Sequence, residues 1–345
     1  MDFILEKDPS YQGVRGPLLL IILDGIGLYR GKEEGYPGNA FDIASPKNLC
    51  SLLKNERIVT QLHAHGTAVG MPSDSDQGNS EVGHNALGAG RVFAQGAKLV
   101  DEAIASKRIF ETPVWSEMTK NALDRKKPIH FIGLLSDGNV HSNIKHLSAL
   151  ISECDSSGIE EVYVHCLLDG RDVPPVSGLK YLGILEDFLW SIRAQGEKNK
   201  KQRKYYIASG GGRMVTTMDR YEADWRIVER GYNAHVLGDG PLFPNCFEAV
   251  ISLRKLHKVD DQYLPPWVIA SPDNPEKPMA EILDGHTVVF FNFRGDRAIE
   301  ITRAFVDDDF KAFKRIRHPE IFYAGMLEYD GDTHLPPKYL VQPPA

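Results

Sequence analysis

The sequence predicts an α/β fold built on a parallel sheet with helices over its faces. Three observations carry this. Short apolar runs alternate with longer stretches of helical spacing, the rhythm of repeated strand–helix units. The apolar runs are continuous rather than alternating, as strands buried on both faces read. Most of them end in a charged or glycine-rich signature, and open α/β sheets put their ligand sites at the carboxyl ends of strands.

Taken in order, residues 18–23 are predicted as a buried strand ending in Asp24-Gly25-Ile26-Gly27. Asp24 reads either as a ligand-site carboxylate or as the start of an Asx turn. Residues 39–53 read as a helix with Pro46 near a start, and 59–62 as another short strand. Residues 77–90 set Ser80, Glu81 and His84 among glycines 78, 83, 88 and 90. Each glycine weakens a helix by roughly 1 kcal/mol, so this stretch reads as a surface loop, or as backbone drawn close to a ligand. Residues 98–110 have helical spacing.

The rhythm then becomes regular. Residues 129–135 form a strand ending in Ser136-Asp137-Gly138-Asn139-Val140-His141-Ser142. Ser142 is placed to cap a helix whose Ile144, Leu147, Leu150 and Ile151 share one face, stopping by Gly158. Residues 162–168 form the next strand, ending in Asp169-Gly170-Arg171-Asp172. A helix over 178–194 follows with Gly196 at its end, and the basic run 198–204 reads as a solvated loop. Residues 205–208 lead into Ser209-Gly210-Gly211-Gly212-Arg213, followed by a helix over 223–232. Residues 287–291 end in Asn292-Phe293-Arg294-Gly295-Asp296-Arg297 and lead into a helix. Residues 321–326 are the last predicted strand.

At 345 residues the chain has room for two domains. A formal charge of −7 argues against a general nucleic-acid binder. Cys50, Cys154, Cys166 and Cys246 are scattered without a CxxC spacing, as free thiols in a reducing compartment are. No signal-peptide core and no apolar run of membrane-spanning length is visible. The expectation is a soluble cytoplasmic protein without membrane or nucleic-acid partners.

Strand ends and the turns after them collect Arg171, Arg213, Arg220, Arg294 and Arg297, with His141. Guanidinium forks match carboxylates and phosphates, and as a set they predict a pocket for a small, multiply charged anion. Ser80 is not in a G-x-S-x-G elbow. His84, four residues on, can share a helical face with it. A metal is the other way to activate a hydroxyl, and Asp24 is a single hard ligand candidate. Asp172 is placed for general base work, or simply to pair with Arg171.

Residues 23–27 (LDGIG), 78–84 (GNSEVGH), 88–91 (GAGR), 133–142 (GLLSDGNVHS), 169–175 (DGRDVPP), 218–225 (MDRYEADW) and 292–297 (NFRGDR) together resemble the cofactor-independent phosphoglycerate mutases. The motifs fall in the family's order from about residue 17 onward, and the Arg213–Arg220 spacing resembles the longer, eukaryotic-type branch. The resemblance implies an alkaline-phosphatase-like parallel sheet, present here as its first segment only, plus an inserted α/β substrate-binding domain. On that pattern residues 1–95 are the first phosphatase segment, 96–340 the inserted domain and 341–345 a hinge.

The resemblance further implies a monomer interconverting 3-phosphoglycerate and 2-phosphoglycerate, with no 2,3-bisphosphoglycerate requirement. Ser80 matches the nucleophile that becomes phosphorylated. His141, Arg171, Asp172, Arg213, Arg220, Arg294 and Arg297 match substrate contacts, with Asp172 handling protons at the glycerate hydroxyls. Two manganese ions are expected, with Asp24 and Ser80 among their ligands. In the family, a substrate lysine and most metal ligands lie beyond the point matching Ala345. The chain is therefore expected to be an incomplete enzyme, inactive alone. A non-catalytic phosphoglycerate-binding module is the alternative.

Overall fold

The computed structural model describes residues 8–23, 25–27, 38–55 and 57–342. The chain divides into two compact units, Met1–His63 and Ala64–Pro344.

In the first unit, helices α1 (Ala40–Ala44) and α2 (Lys47–Leu53) replace the single helix expected over 39–53. Asn39 caps α1 by accepting the Phe41 N–H, and Ser45 closes it in the left-handed region. Pro46 has no N–H to donate, so it fits ahead of a first turn and not inside a helix. The two strands expected here do not form. Residues 18–23 and 59–62 have no strand pairing, and residues 18–23 are 51–82% exposed. The reason is partnership. A strand exists through neighbours that take its N–H and C=O groups, and no described residue ahead of Ile129 is in a strand.

The second unit is built on a seven-stranded sheet: β1 (Ile129–Leu135), β2 (Glu161–Leu168), β3 (Lys204–Gly212), β4 (Leu242–Phe243), β5 (Trp267–Ile269), β6 (Thr287–Phe290) and β7 (Phe322–Gly325). Its order is β4-β5-β3-β2-β1-β6-β7. The ladders from β3 through β2, β1 and β6 to β7 are parallel. β5 runs antiparallel to β3 and parallel to β4. The α/β expectation is borne out, with a mixed edge made of runs too short to read from sequence.

Side chains alternate across a strand, so the sheet presents two faces. Phe131, Val164 and Ile207 pack against α4 (Gly96–Ala105), α5 (Pro113–Arg125), α6 (Ile144–Ser156), α7 (Gly178–Lys198) and α9 (Cys246–His257). Ile132, Leu134 and Leu167 face α8 (Trp225–Val236) and α10 (Ile299–Val306). The helical spacing in the sequence is used as read: Leu147, Leu150 and Ile151 of α6, and Leu182, Leu185 and Leu189 of α7, are fully buried.

Several details differ from expectation. Asn143, not Ser142, caps α6 by accepting the Lys145 N–H at 2.9 Å. The Ser142 hydroxyl instead donates to Leu134 O at 2.5 Å, tying the loop back to its own strand. α7 continues past Gly196 to Lys198, because one helical glycine costs only about 1 kcal/mol and Ile192 on the same helix is buried. The basic run is not wholly solvated: the Arg203 side chain is only 5% exposed and pairs with Asp155 at 2.5 Å. Helices α5 and α9 were not among the elements read from sequence. No helix among the described residues is long and apolar enough to cross a membrane.

The glycine triplet expected to leave β3 lies inside it. A Cβ on Gly210 would sit 2.3 Å from the Trp267 ring and 2.4 Å from Cys166 O. Glycine here lets β5 and its tryptophan close on the sheet. Gly210→Ala is expected to cost roughly 1–3 kcal/mol by overpacking, read as a lower urea midpoint. An unchanged midpoint would contradict this packing.

Candidate functional site

The site forms where the carboxyl ends of the parallel strands meet. Asp169 follows β2 and is buried. It accepts from the Arg171 and Asp172 N–H groups (3.2 and 3.0 Å), the Ser136 hydroxyl (2.6 Å) and Arg213 Nη1 (2.7 Å). One carboxylate thus shapes the 169–172 turn and fixes the arginine at the end of β3. Arg213 is itself only 2% exposed, and the same Nη1 also donates to Asp172.

Asp296, between the two arginines that follow β6, organises the other side. Its Oδ1 lies 3.2 Å from Arg294 Nε and 3.6 Å from His141 Nδ1, and its Oδ2 accepts from Arg220 Nη1 at 3.2 Å. Arg297 donates to Met218 O at 2.6 Å. His141 O accepts the Phe293 N–H at 2.8 Å, joining the loops after β1 and β6.

These groups surround a cavity of about 230 Å³ lined by His141, Asp172, Arg171, Arg213, Arg220, Arg294 and Arg297, with Gln77–Asn79 along one edge. Larger hollows of about 450 and 430 Å³ lie elsewhere, and neither gathers a set of arginines. Around the charged cavity, His141 Nδ1, Arg213 Nε, Arg294 Nε and Asp296 Oδ1 are buried without hydrogen-bond partners among the described residues. Three of these atoms face one another, Asp296 Oδ1 lying 3.2 Å from Arg294 Nε and 3.6 Å from His141 Nδ1. Burial, with Arg213, Arg294, Arg297 and Arg220 around it, holds the His141 imidazole well below its ordinary pKa, so it is neutral at pH 7. Burial and the Arg220 and Arg213 charges lower Arg297 to about 10, which leaves it charged. The arrangement suits an anion with several oxygens.

The structure therefore brings together every arginine singled out in the sequence, with His141 and Asp172. Ser80 is close by but does not line the cavity. It opens α3 (Ser80–Ala89), a helix where a loop was the plainer reading. Asn79 caps this helix by accepting the Val82 N–H, and Gly83 and Gly88 sit in open space that a side chain would not fill. Glu81 ties α3 to the cavity, 3.3 Å from Arg294 Nε, and burial raises its carboxyl pKa. His84 Nδ1 lies 2.7 Å from Ser80 O and 3.1 Å from Ser80 Oγ. A carbonyl only accepts, so Nδ1 carries the proton and cannot take one from the hydroxyl. His84 supports the helix turn and is not a base for Ser80.

Asp24 lies outside the described residues, and among those described no group of three or more His, Cys, Asp or Glu could hold a metal ion. The described residues do not by themselves make a metal centre. Sequence reasoning missed Asp169, Asp296 and Glu81 as organisers, although each stands inside a motif that had been singled out. The signal that marks Asp296 is its place between two site arginines, and Asp169 stands two residues ahead of Arg171.

Residues 100–331 match the family described as BPG-independent PGAM N-terminus, the greater part of the chain. The chain belongs to the 2,3-bisphosphoglycerate-independent phosphoglycerate mutase family. A probable mutase of this kind from Leptospira interrogans is 50% identical over 331 residues, covering 95% of this chain and 58% of that protein. The Trypanosoma brucei brucei mutase is 45% identical over 331 residues, with 96% and 58% covered. A crystal structure of Leishmania mexicana phosphoglycerate mutase at low cobalt concentration matches with a TM-score of 0.79 and 48% identity, over 83% of this chain and 51% of that one. The chain thus spans a little over half the length of the curated mutases it matches.

One buried acid beneath the site is not in the anion pocket. Glu300, 3% exposed, accepts the Glu222 N–H at 2.9 Å under the loop that carries Arg220. Burial, together with the carboxylates of Asp219 and Glu222, pushes its pKa up to about 7. A carboxyl raised on folding stabilises the fold at low pH and loses that contribution as pH climbs from its unfolded value to the folded one. Glu300→Gln is expected to gain on the wild type by about 1–3 kcal/mol between pH 5 and pH 8. Urea denaturation at the two pH values checks this, and a constant difference would refute it.

Proposed function

We propose that this chain carries the phosphoglycerate-binding part of an enzyme that interconverts 3-phosphoglycerate and 2-phosphoglycerate through phosphorylated Ser80. The observation that supports it is the single cavity on which five arginines, neutral His141 and Asp172 converge. A phosphoglycerate offers the two anionic groups, phosphate and carboxylate, that such a set clamps. Phosphoryl transfer asks mostly for positioning and charge stabilisation, and the arginines supply both.

In this reading the Ser80 hydroxyl gives up its proton as its oxygen attacks phosphorus, the bond to the glycerate C3 oxygen breaks, and that oxygen takes up a proton. The C2 hydroxyl then gives up its proton and attacks the phosphoserine, the bond from phosphorus to the Ser80 oxygen breaks, and Ser80 regains its proton. Asp172, held by Arg213 at the cavity wall, is the carboxylate placed to move those protons. Ser80 obtains no help from His84, and the family expectation assigns its activation to two manganese ions. The described residues hold no ligand set for them, so no step is drawn through the metals. We take residues 1–95 as the first metal-domain segment, 96–340 as the inserted domain and 341–345 as a hinge, in a monomeric cytoplasmic protein with no nucleic-acid or membrane partner.

A second reading, a non-catalytic phosphoglycerate-binding module, is favoured by a contrast: the arginine set is assembled while Ser80 has no activating group among the described residues. Calorimetry with 3-phosphoglycerate tests the part common to both. Binding is expected, and Arg294→Ala should weaken it by roughly 10–100-fold, as a lost charged hydrogen bond does. Silence from the wild type would end both readings. The chain alone is expected to show no manganese-dependent turnover. Turnover that disappears in Ser80→Ala would overturn that expectation.

A further inference from the structure

Behind the anion pocket, on the sheet face covered by α8, four buried histidines form one continuous hydrogen-bonded line. His286 Nδ1 lies 3.0 Å from His130 Nε2, and His130 Nδ1 lies 3.0 Å from His165 Nε2. His165 Nδ1 meets the Ser209 hydroxyl at 2.7 Å, and that hydroxyl meets His235 Nδ1 at 2.8 Å. His235 Nε2 meets the Thr217 hydroxyl at 2.9 Å. Among the four, only His286 has measurable exposure, at 6%. Burial lowers the pKa of all four, so each is neutral.

The direction of this relay is fixed at one end. Leu283 N–H, which can only donate, points to His286 Nδ1 at 3.3 Å, so that nitrogen is bare. His130 must then donate to it from Nε2. A neutral imidazole carries one proton, so His130 Nδ1 accepts from His165 Nε2. By the same step His165 accepts from Ser209, Ser209 accepts from His235 Nδ1, and His235 Nε2 accepts from Thr217. A backbone amide thus sets three histidines to the Nε2–H tautomer and His235 to the Nδ1–H tautomer.

The far end of the relay is where the strain lies. Thr217 has φ +72°, a left-handed conformation that a β-branched residue adopts at a cost of about 1–3 kcal/mol. It is also packed on α8, where a Cβ on Gly231 would sit 2.0 Å from the Thr217 hydroxyl oxygen. The next residues are Met218, whose carbonyl holds Arg297, and then Asp219 and Arg220.

We propose that this histidine–serine relay positions the Met218–Arg220 segment for anion binding by holding the Thr217 hydroxyl, and so its backbone, in place. Thr217 is a positioning residue here, and the inference rests on the anion reading of the pocket above. Thr217→Val keeps the shape and removes only the donor, while Thr217→Ser keeps the donor. In wild-type protein, two-bond ¹H–¹⁵N spectra should show His235 as the Nδ1–H tautomer and His130, His165 and His286 as Nε2–H. In folded Thr217→Val, 3-phosphoglycerate affinity should fall roughly tenfold and Met218 amide exchange should speed up by roughly as much, with both restored in Thr217→Ser. A Val variant that matches wild type in affinity and exchange overturns the proposal, as does an Nε2–H tautomer at His235. If the wild type binds no 3-phosphoglycerate, the functional reading fails separately. The exchange comparison then decides the relay: equal Met218 exchange overturns it, and faster exchange in the Val variant alone supports its hold on the segment.

Discussion

The buried pair of Asp169 and Arg213 is the interaction on which the site depends. Both side chains are nearly inaccessible, and a charge left alone in such a place costs several kcal/mol. Withdrawing Arg213 leaves the buried Asp169 without its counter-charge, and withdrawing Asp169 leaves Arg213 with Asp172 as its ion-pair partner. The pair also fastens the turn after β2 to the end of β3, and through Asp172 it faces the cavity. The ion pair is therefore less a source of stability than a way to define one geometry.

Around it the molecule solves a problem of like charges. Several guanidiniums within one small cavity repel one another, and burial together with the Arg220 and Arg213 charges lowers the Arg297 pKa. The acids that offset this repulsion, Asp169, Asp296 and Glu81, approach from three different elements: the turn after β2, the loop after β6 and the first turn of α3. Asp169 pairs with Arg213 Nη1, while Asp296 and Glu81 both lie against Arg294 Nε. A parallel sheet makes this possible by delivering successive strand ends to the same rim.

Much of this was legible in the sequence. The apolar runs at Ile129–Leu135 and Glu161–Leu168 lie in the sheet centre, and the arginines that followed strand-like runs do converge. What failed to read had physical causes. Residues 18–23 have a strand's composition but no partner among the described residues, and composition cannot supply one. The helix at Ser80–Ala89 forms although its glycines disfavour it, because Asn79 caps it and Val82 packs with Val69 and Met71. β4 and β5 are too short for any pattern. The histidine line draws His130, His165, His235 and His286 from distant positions, and a single histidine inside an apolar run carries no sign of the others.

The exposed run at 18–23 has a consequence for handling the protein. Six consecutive branched aliphatic residues, without charge or proline, have the composition of a cross-β segment. Left open to solvent, such a run offers its backbone to an identical run on another molecule before any native neighbour can claim it. The described site residues all lie beyond His63, in the unit with its own core. Any tendency of this chain to self-associate through that run would sit in its first unit, apart from the residues that line the anion pocket.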